Sequence, residues 1–100
     1  MPKEVELHPR ALEESQAAYR WDKERSESAA AAFLAEIDQA IACISEAPVR
    51  WPPYLFGARK YLLRRFPFFL VYRETADKIQ VVAIAHGRRR PGYWKKRTLR

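Results

Sequence analysis

The hydrophobic and polar positions divide the chain into a helical half and a strand half. Between residues 30 and 44, apolar side chains recur at the three- and four-residue spacing of a buried helix face. That face is formed by Phe33, Ile37, Ile41 and Ile44, with Ala30, Leu34 and Ala40 beside them. Ser26 or Ser28 can cap the start of this helix, and Pro48 ends it because the residue before a proline is pushed out of the helical region.

A weaker helical stripe precedes it, from Arg10 to about Arg25. Its apolar side comprises Ala11, Leu12, Ser15, Ala18, Tyr19 and Asp22. The break between the two helical segments is short, which predicts an antiparallel helical hairpin. Before the hairpin, Val5 to Leu7 alternate and are stopped by His8 and Pro9, as expected for a short edge strand followed by a helix start.

Alternating residues predict three strands in the second half, near residues 61–63, 66–72 and 79–86. In the last of these, strict alternation puts Val82, Ile84 and His86 on one face and Ile79, Val81, Ala83 and Ala85 on the other. Turns at 65–67 and 75–78 would join the strands into an antiparallel meander. We therefore predict a single α+β domain over residues 1–100, with an N-terminal helical hairpin packed on a small antiparallel sheet.

Two details of this arrangement are open. Both faces of the last two strands are apolar, so the face away from the helices needs a cover, either the C-terminal segment or another chain. The connector at 49–57 is rich in proline, which excludes a helix or central strand there. Its Trp51 and Phe56 are expected to pack the connector onto the core rather than form a recognition surface.

Composition narrows the class of protein. The 100 residues are 48% hydrophobic with only 3 Gly, as in a globular domain. The single cysteine, Cys43, lies in the helical pattern and is expected to be a buried, inert thiol. With His8 and His86 far apart in sequence, no metal site or cofactor is predicted. The N-terminus lacks the order of a signal peptide and no apolar run approaches a membrane span, so we expect a cytoplasmic protein without membrane association.

Charge is concentrated at the C-terminus. Residues 1–87 hold 12 acidic and 12 basic residues, so the whole net charge of +7 belongs to the last 13 residues. These include Arg88, Arg89 and Arg90, then Tyr93 and Trp94, and then a basic tail at about 95–100. A dense cationic run that carries two aromatic residues favours binding to phosphate or to an acidic partner.

Several segments together resemble one known family. They are Leu7 to Ala11, the helix from Phe33 to Pro48, Arg65 to Arg73, and Ile84 to Arg97. In this order they are similar to the RelE/ParE toxins of bacterial type II toxin–antitoxin systems, the plasmid stabilisation type. The resemblance implies a helical hairpin on an antiparallel sheet. It also implies a toxin that arrests growth, either by inhibiting DNA gyrase or by cleaving mRNA on the ribosome.

The resemblance also implies the partners. A cognate antitoxin, with an acidic segment lying over the sheet and the basic groove, would neutralise the toxin. The target would be DNA gyrase or the ribosome with its mRNA. DNA would be contacted only indirectly, through the antitoxin.

Residue by residue, the two branches make different demands. In the ribonuclease members an arginine that holds the scissile phosphate directly precedes the Leu-Val-Tyr of the third strand, and here that position is Phe69. His86, Arg89 and Tyr93 would be the catalytic set if the protein is a ribonuclease. We predict that target or phosphate is bound by Arg64, Arg65, Arg88, Arg89, Tyr93 and Trp94. Because of Phe69, the gyrase-directed branch is favoured and enzymatic activity is an open question.

The same residues could instead have purely structural roles. His86 could be a hydrogen-bonded structural residue at a strand end. Arg64 and Arg65 could pair with Glu46 or Glu74 on the surface, where such pairs contribute about 0–1 kcal/mol. Tyr93 and Trp94 could cover the free face of the sheet instead of stacking on a base.

Overall fold

The computed structural model describes residues 2–98 and has two helices on one side of a four-stranded sheet. The helices are α1, Pro9–Arg25, and α2, Glu27–Glu46. The strands are β1, Glu4–Leu7; β2, Arg59–Leu62; β3, Phe68–Glu74; and β4, Lys78–His86. Short 3-10 turns occupy Pro48–Arg50, Leu55–Gly57 and Lys95–Thr98. The α+β class predicted from the sequence is confirmed.

The helical hairpin predicted from the sequence is present, and a side chain caps the start of each helix. His8 begins α1, since its Nδ1 accepts a hydrogen bond of 3.0 Å from the backbone N–H of Arg10, with Pro9 at the first helical position. Ser26 alone separates the helices: its N–H donates to the Asp22 carbonyl, and its Oγ caps α2 by accepting from Ala29 N–H. Of the two cap candidates, the structure therefore uses Ser26.

The strand order is β1-β4-β3-β2. Strands β2, β3 and β4 form the antiparallel meander, but β1 runs parallel to β4, with Val5 opposite Ile79 and Leu7 opposite Val81. The sheet is therefore mixed, which corrects the prediction of a purely antiparallel one. The connection that these parallel neighbours need passes through the helical hairpin and then through β2 and β3.

The sheet has two apolar faces, which we call the helix face and the far face. On the helix face Leu70, Tyr72 and Val81 pack against Phe33 and Ile44 of α2. The far face carries Phe69, Val71, Val82 and Ala83 and is covered by Tyr54, Ala58, Tyr93 and Trp94. The sequence predicted that either the C-terminal segment or another chain covers the far face. In the structure the protein's own C-terminal segment covers it, together with the 49–57 connector.

Two leucines depart from the predicted helix faces. Leu12 is 47% exposed and Leu34 is 41% exposed. The buried stripe of α1 is narrow and consists of Ala11, Ser15 and Ala18. Because these residues are small, the helix can lie close to the sheet. The predicted face of α2 is otherwise correct: Phe33, Ile37 and Ile44 are buried.

Helix α2 is long and apolar enough to cross a membrane by length and composition alone. Its apolar face, however, is buried against the sheet, as expected of the core helix of a globular domain. Cys43 lies on this helix and is half-buried, rather than fully buried as predicted.

Candidate target-binding site

The basic loop starts where β4 ends, at His86. The Nδ1 atom of His86 accepts a hydrogen bond of 3.0 Å from the backbone N–H of Arg88, and its ring meets the ring of Phe68 edge to face at 5.1 Å. The N–H of Gly87 donates to the Pro67 carbonyl at 2.8 Å, which ties this loop to the turn between β2 and β3. These contacts fix the position of the His86 ring at the end of the strand.

The three arginines that follow are exposed, as the sequence predicted. The guanidinium of Arg89 lies 3.8 Å from the centroid of the Tyr93 ring, a cation–π contact that restricts the loop. Arg88 and Arg90 make no salt bridge with a carboxylate among residues 2–98. Three neighbouring guanidinium groups thus face solvent at this corner of the protein.

Tyr93 is half-buried and its hydroxyl is occupied. The hydroxyl donates a hydrogen bond of 2.8 Å to Oε2 of Glu14 on α1. Burial, followed by this hydrogen bond and the charge of the Glu14 carboxylate, raises the pKa of Tyr93 above its ordinary value of 10.0. The side chain is thus a poor proton donor or acceptor near neutral pH.

The same carboxylate binds Arg97. Nη2 of Arg97 lies 2.9 Å from Oε2 of Glu14, and Nη1 donates to Oε1 at 3.1 Å. Because Lys95–Thr98 form a short 3-10 turn and Arg97 is ion-paired, residues 95–98 of the predicted basic tail are fixed against the rest of the protein. Residues 99 and 100 lie outside the described part of the chain.

Glu14 and Arg97 also complete the hydrogen bonding of β4. Strand β1 ends opposite Val81, and within residues 2–98 no strand lies on that side of the remainder of β4. There Oε1 of Glu14 accepts from the backbone N–H of Ile84 at 2.9 Å, and Nη1 of Arg97 donates to the carbonyl of Val82 at 3.0 Å. Two side chains thus take the place of an absent strand and protect a sheet edge.

Trp94 is 1% exposed and packs on the far face with Val71 and Val82. Tyr54 and Phe56 contact it, with ring centroids at 6.0 and 5.7 Å. Trp94 thus covers the sheet, the alternative role given for it above, and leaves almost no exposed area for the predicted contact with the target. Its large apolar surface gains more from closing the far face than from remaining in water.

Arg64 and Arg65 lie in the turn between β2 and β3, and their partner is Glu36 on α2. The Glu36 carboxylate accepts hydrogen bonds from the backbone N–H groups of both arginines, and Nε of Arg65 lies 3.9 Å from its Oε1. The alternative pairing with Glu46 or Glu74 is wrong; Glu74 pairs with Lys3. The two side chains remain exposed, in a turn adjoining the 86–90 loop.

Phe69 lies on the far face, opposite to the face that holds His86. Its ring meets that of Tyr54 at 5.9 Å, and Nζ of Lys60 lies 4.6 Å from the Phe69 centroid and 4.4 Å from that of Tyr54. Phe68, paired with His86, faces the helices instead. The sheet therefore separates His86 from the position where a phosphate-binding arginine would stand.

A groove of about 450 Å³ lies between α1 and the end of β4. Its walls are mainly apolar and come from Ala17, Ala18, Trp21, Phe66, Pro67, Phe68 and Ile84, with Glu14, Asp22, His86 and Arg89 also lining it. Trp21 is 57% exposed. Such a groove fits an apolar segment of a partner. Within residues 2–98, no group of three metal-ligating side chains comes together.

Sequence reasoning missed Glu14, Arg97, Lys60 and Tyr54. Glu14 is one of several acidic residues on α1, and nothing in its spacing distinguishes it. Arg97 was grouped with the basic tail. A local signal existed only for Lys60, a base in an apolar strand.

Comparison with known proteins identifies a family whose sequence pattern matches most of the chain. The family described as ParE toxin of type II toxin–antitoxin system, parDE, matches residues 5–91. No curated protein matches the chain by sequence. Among solved structures, a chain of the chromosomal ParDE TA system from P. aeruginosa is similar in fold, with a TM-score of 0.73 and 19% sequence identity. The match covers 84% of this chain and 95% of that one.

Proposed function

The chain belongs to the ParE toxin family of type II toxin–antitoxin systems, and we propose that it arrests growth by binding DNA gyrase without catalysing a reaction. In this proposal a cognate antitoxin neutralises it. The exposed side chains of Arg64, Arg65, Arg88 and Arg89 provide the basic part of the target-binding surface. Tyr93 supports that surface by stacking under Arg89.

One observation carries the choice of a binding mechanism: the position where a phosphate-binding arginine would stand is Phe69, on the opposite face of the sheet from His86. Attack by a 2′-hydroxyl needs cations at the scissile phosphate and groups that move protons. His86 and Phe69 lie on opposite faces of the sheet, and the Tyr93 hydroxyl is bound to Glu14. This arrangement supports a toxin that acts by binding.

Ribosome-dependent mRNA cleavage is the second candidate, and the free arginines favour it. Arg88, Arg89 and Arg90 form a cationic corner that could hold phosphate. In that mechanism His86, Arg89 and Tyr93 would be the catalytic residues, and Tyr93 would have to leave Glu14 to take part.

The antitoxin is proposed to bind across the groove beside Trp21 and the adjoining basic loop. The groove offers apolar walls, and Arg89 stands at one side of it. A segment with apolar side chains followed by carboxylates would match both parts. Contact with DNA would then be indirect, through the antitoxin, and the expected compartment is the cytoplasm.

Two assays separate the candidates. Purified toxin is added to a gyrase supercoiling reaction and to a cell-free translation system, each compared with a variant in which Arg88 and Arg89 are both replaced by Ala. We expect inhibited supercoiling and intact mRNA, with inhibition reduced in the variant. A second double variant, Arg10→Ala with Arg20→Ala, controls for the loss of two exposed charges on α1. Cleaved mRNA together with normal supercoiling would instead establish the ribonuclease.

A further inference from the structure

The far face of the sheet carries an aromatic surface with two lysines set among its rings. We call this surface the lysine–aromatic face; it consists of Tyr54, Phe56, Lys60, Leu62, Phe69 and Lys95. Lys60 lies over both Tyr54 and Phe69, and Nζ of Lys95 lies 4.9 Å from the Phe56 centroid. Leu62 stands opposite Phe69 on the neighbouring strand. Tyr54 and Phe56 both pack on the buried ring of Trp94.

Much of this surface is apolar and yet exposed. Leu62 is 65% exposed, Phe56 51% and the adjacent Leu55 37%. Single exposed apolar residues need no explanation, but a contiguous group with a polar rim is typical of an interaction site.

Electrostatics decide what kind of partner would fit. Residues 48–73 contain six basic residues and no acidic one, and residues 78–98 contain seven basic residues and no acidic one. These two segments supply the whole lysine–aromatic face. Lys60 and Lys95 make no salt bridge within residues 2–98. The face therefore has a positive potential that its own chain leaves uncompensated.

Phe56 is held in a strained conformation at this surface. Its φ is 55°, in the left-handed region that non-glycine residues seldom adopt. Gly92, with φ of 81°, leaves the space beside the Phe56 ring, where a Cβ would lie 3.0 Å from a ring carbon. Strain of this kind is concentrated at functional sites, and here it holds an aromatic ring on Trp94 with half of its area in water.

The chemistry favours a protein partner over a nucleic acid. Bases would need free ring faces on which to stack. The ammonium groups of Lys60 and Lys95 already lie over the rings of Tyr54, Phe69 and Phe56. The Leu62 side chain has no hydrogen-bonding group or charge for a base or a phosphate, whereas it is a suitable contact for an apolar side chain.

We infer that the lysine–aromatic face is the surface that meets the target protein, and that it binds an acidic segment carrying an apolar anchor residue. The anchor would pack on the exposed side chain of Leu62, and carboxylates beside it would pair with Lys60 and Lys95. This inference rests on the proposed function and adds a second surface to the exposed arginines. It lies on the opposite side of the sheet from α1 and α2.

The test compares two exposed leucines, one on the lysine–aromatic face and one on α2. Leu62→Asp places a negative charge on the lysine–aromatic face, and Leu34→Asp does the same on α2, where Leu34 is 41% exposed. Each variant is titrated in the gyrase supercoiling assay and its melting temperature is measured. We expect Leu62→Asp to need about tenfold more protein for half-inhibition, as for loss of an interface anchor, and Leu34→Asp to match the wild type. Lys95→Glu, at an exposed position, should also weaken inhibition and serves if Leu62→Asp does not fold.

The outcomes separate the two proposals. If the wild type does not inhibit gyrase, the proposed target is wrong, and growth arrest in cells replaces supercoiling as the readout for the same variants. Equal potency of Leu62→Asp and Leu34→Asp in the readout that the wild type affects would overturn the inference. Tight binding of a labelled single-stranded oligonucleotide that Leu62→Asp abolishes would overturn the assignment of a protein partner.

Discussion

Glu14 on the first helix and Arg97 near the C-terminus are joined by two short contacts, of 2.9 and 3.1 Å, across 83 positions of sequence. Their side chains are only 16% and 13% exposed. The pair also receives the Tyr93 hydroxyl and supplies the backbone of β4 with two hydrogen bonds. Both carboxylate oxygens of Glu14 and both terminal nitrogens of Arg97 are therefore hydrogen-bonded, and such satisfaction favours a stabilising buried ion pair.

Replacing Glu14 with Ala should destabilise the protein by about 3 kcal/mol, since it leaves Arg97 as a buried charge without its partner. Glu14→Gln should cost less, because the amide oxygen can still accept from Ile84 N–H. Urea unfolding followed by circular dichroism measures both changes. Glu13→Ala, at an exposed position of the same helix, is the control and should stay within about 0.5 kcal/mol of the wild type.

Trp94→Ala should cost about 3–5 kcal/mol, as for other buried large-to-small changes. The substitution removes the ring that lies against Tyr54 and Phe56 and opens the far face to water. Trp21, which is 57% exposed, provides the comparison. Trp21→Ala should alter the melting temperature little, and a similar loss for both variants would show that the far face is not closed by Trp94.

The two left-handed glycines allow backbone strain to be separated from side-chain contact. Gly57 has φ of 75° and no atom within 4 Å of a Cβ placed there, whereas at Gly92 the Phe56 ring is 3.0 Å away. Gly57→Ala should cost roughly 1–2 kcal/mol from conformation alone. Gly92→Ala should cost more, because Phe56 must also move. Equal melting temperatures for the two variants would contradict the packing of Phe56 beside Gly92.

The free energy of unfolding should decrease as the pH is lowered, because His8 becomes protonated. Burial, with the charges of Arg97 and Arg10, lowers the pKa of His8 below 6.5, while Glu14 opposes this in part. As the pH falls below 6.5, the unfolded chain binds the proton first and the free energy of unfolding decreases. His8→Asn keeps a helix-capping side chain without a titrating group. Unfolding measured between about pH 7.5 and 5.5 should show a smaller loss in this variant than in the wild type.

The helices and strands could be predicted from the sequence more accurately than the face of the sheet on which each residue of β4 lies. Strict alternation was expected through β4, but Val71 pairs with Ala83 and Tyr72 with Val81, which leaves Val82 as an extra residue. Beyond this bulge Ile84 lies on the helix face with Val81, and Ala83 moves to the far face. A run of apolar residues carries no mark of a bulge, because each register would bury similar side chains.

The candidate site was predicted in part. The exposed arginines follow from a charge run that has no acids near it in sequence. The role of Trp94 could not be decided, since covering a sheet and stacking on a base require the same side chain. Glu14 and Arg97 were out of reach for another reason: a pair 83 positions apart leaves no periodic pattern, and only the tertiary structure brings the two together.

The position of β4 has a consequence for how the chain matures. Strand β1 is made first, but its neighbour in the sheet is β4, and the edge of β4 beyond β1 is closed by Arg97. A chain emerging from the ribosome therefore cannot complete its sheet until β4 and Arg97 have both been added. Truncation before Arg97 would remove the partner of Glu14 and leave the edge of β4 without its side-chain hydrogen bonds.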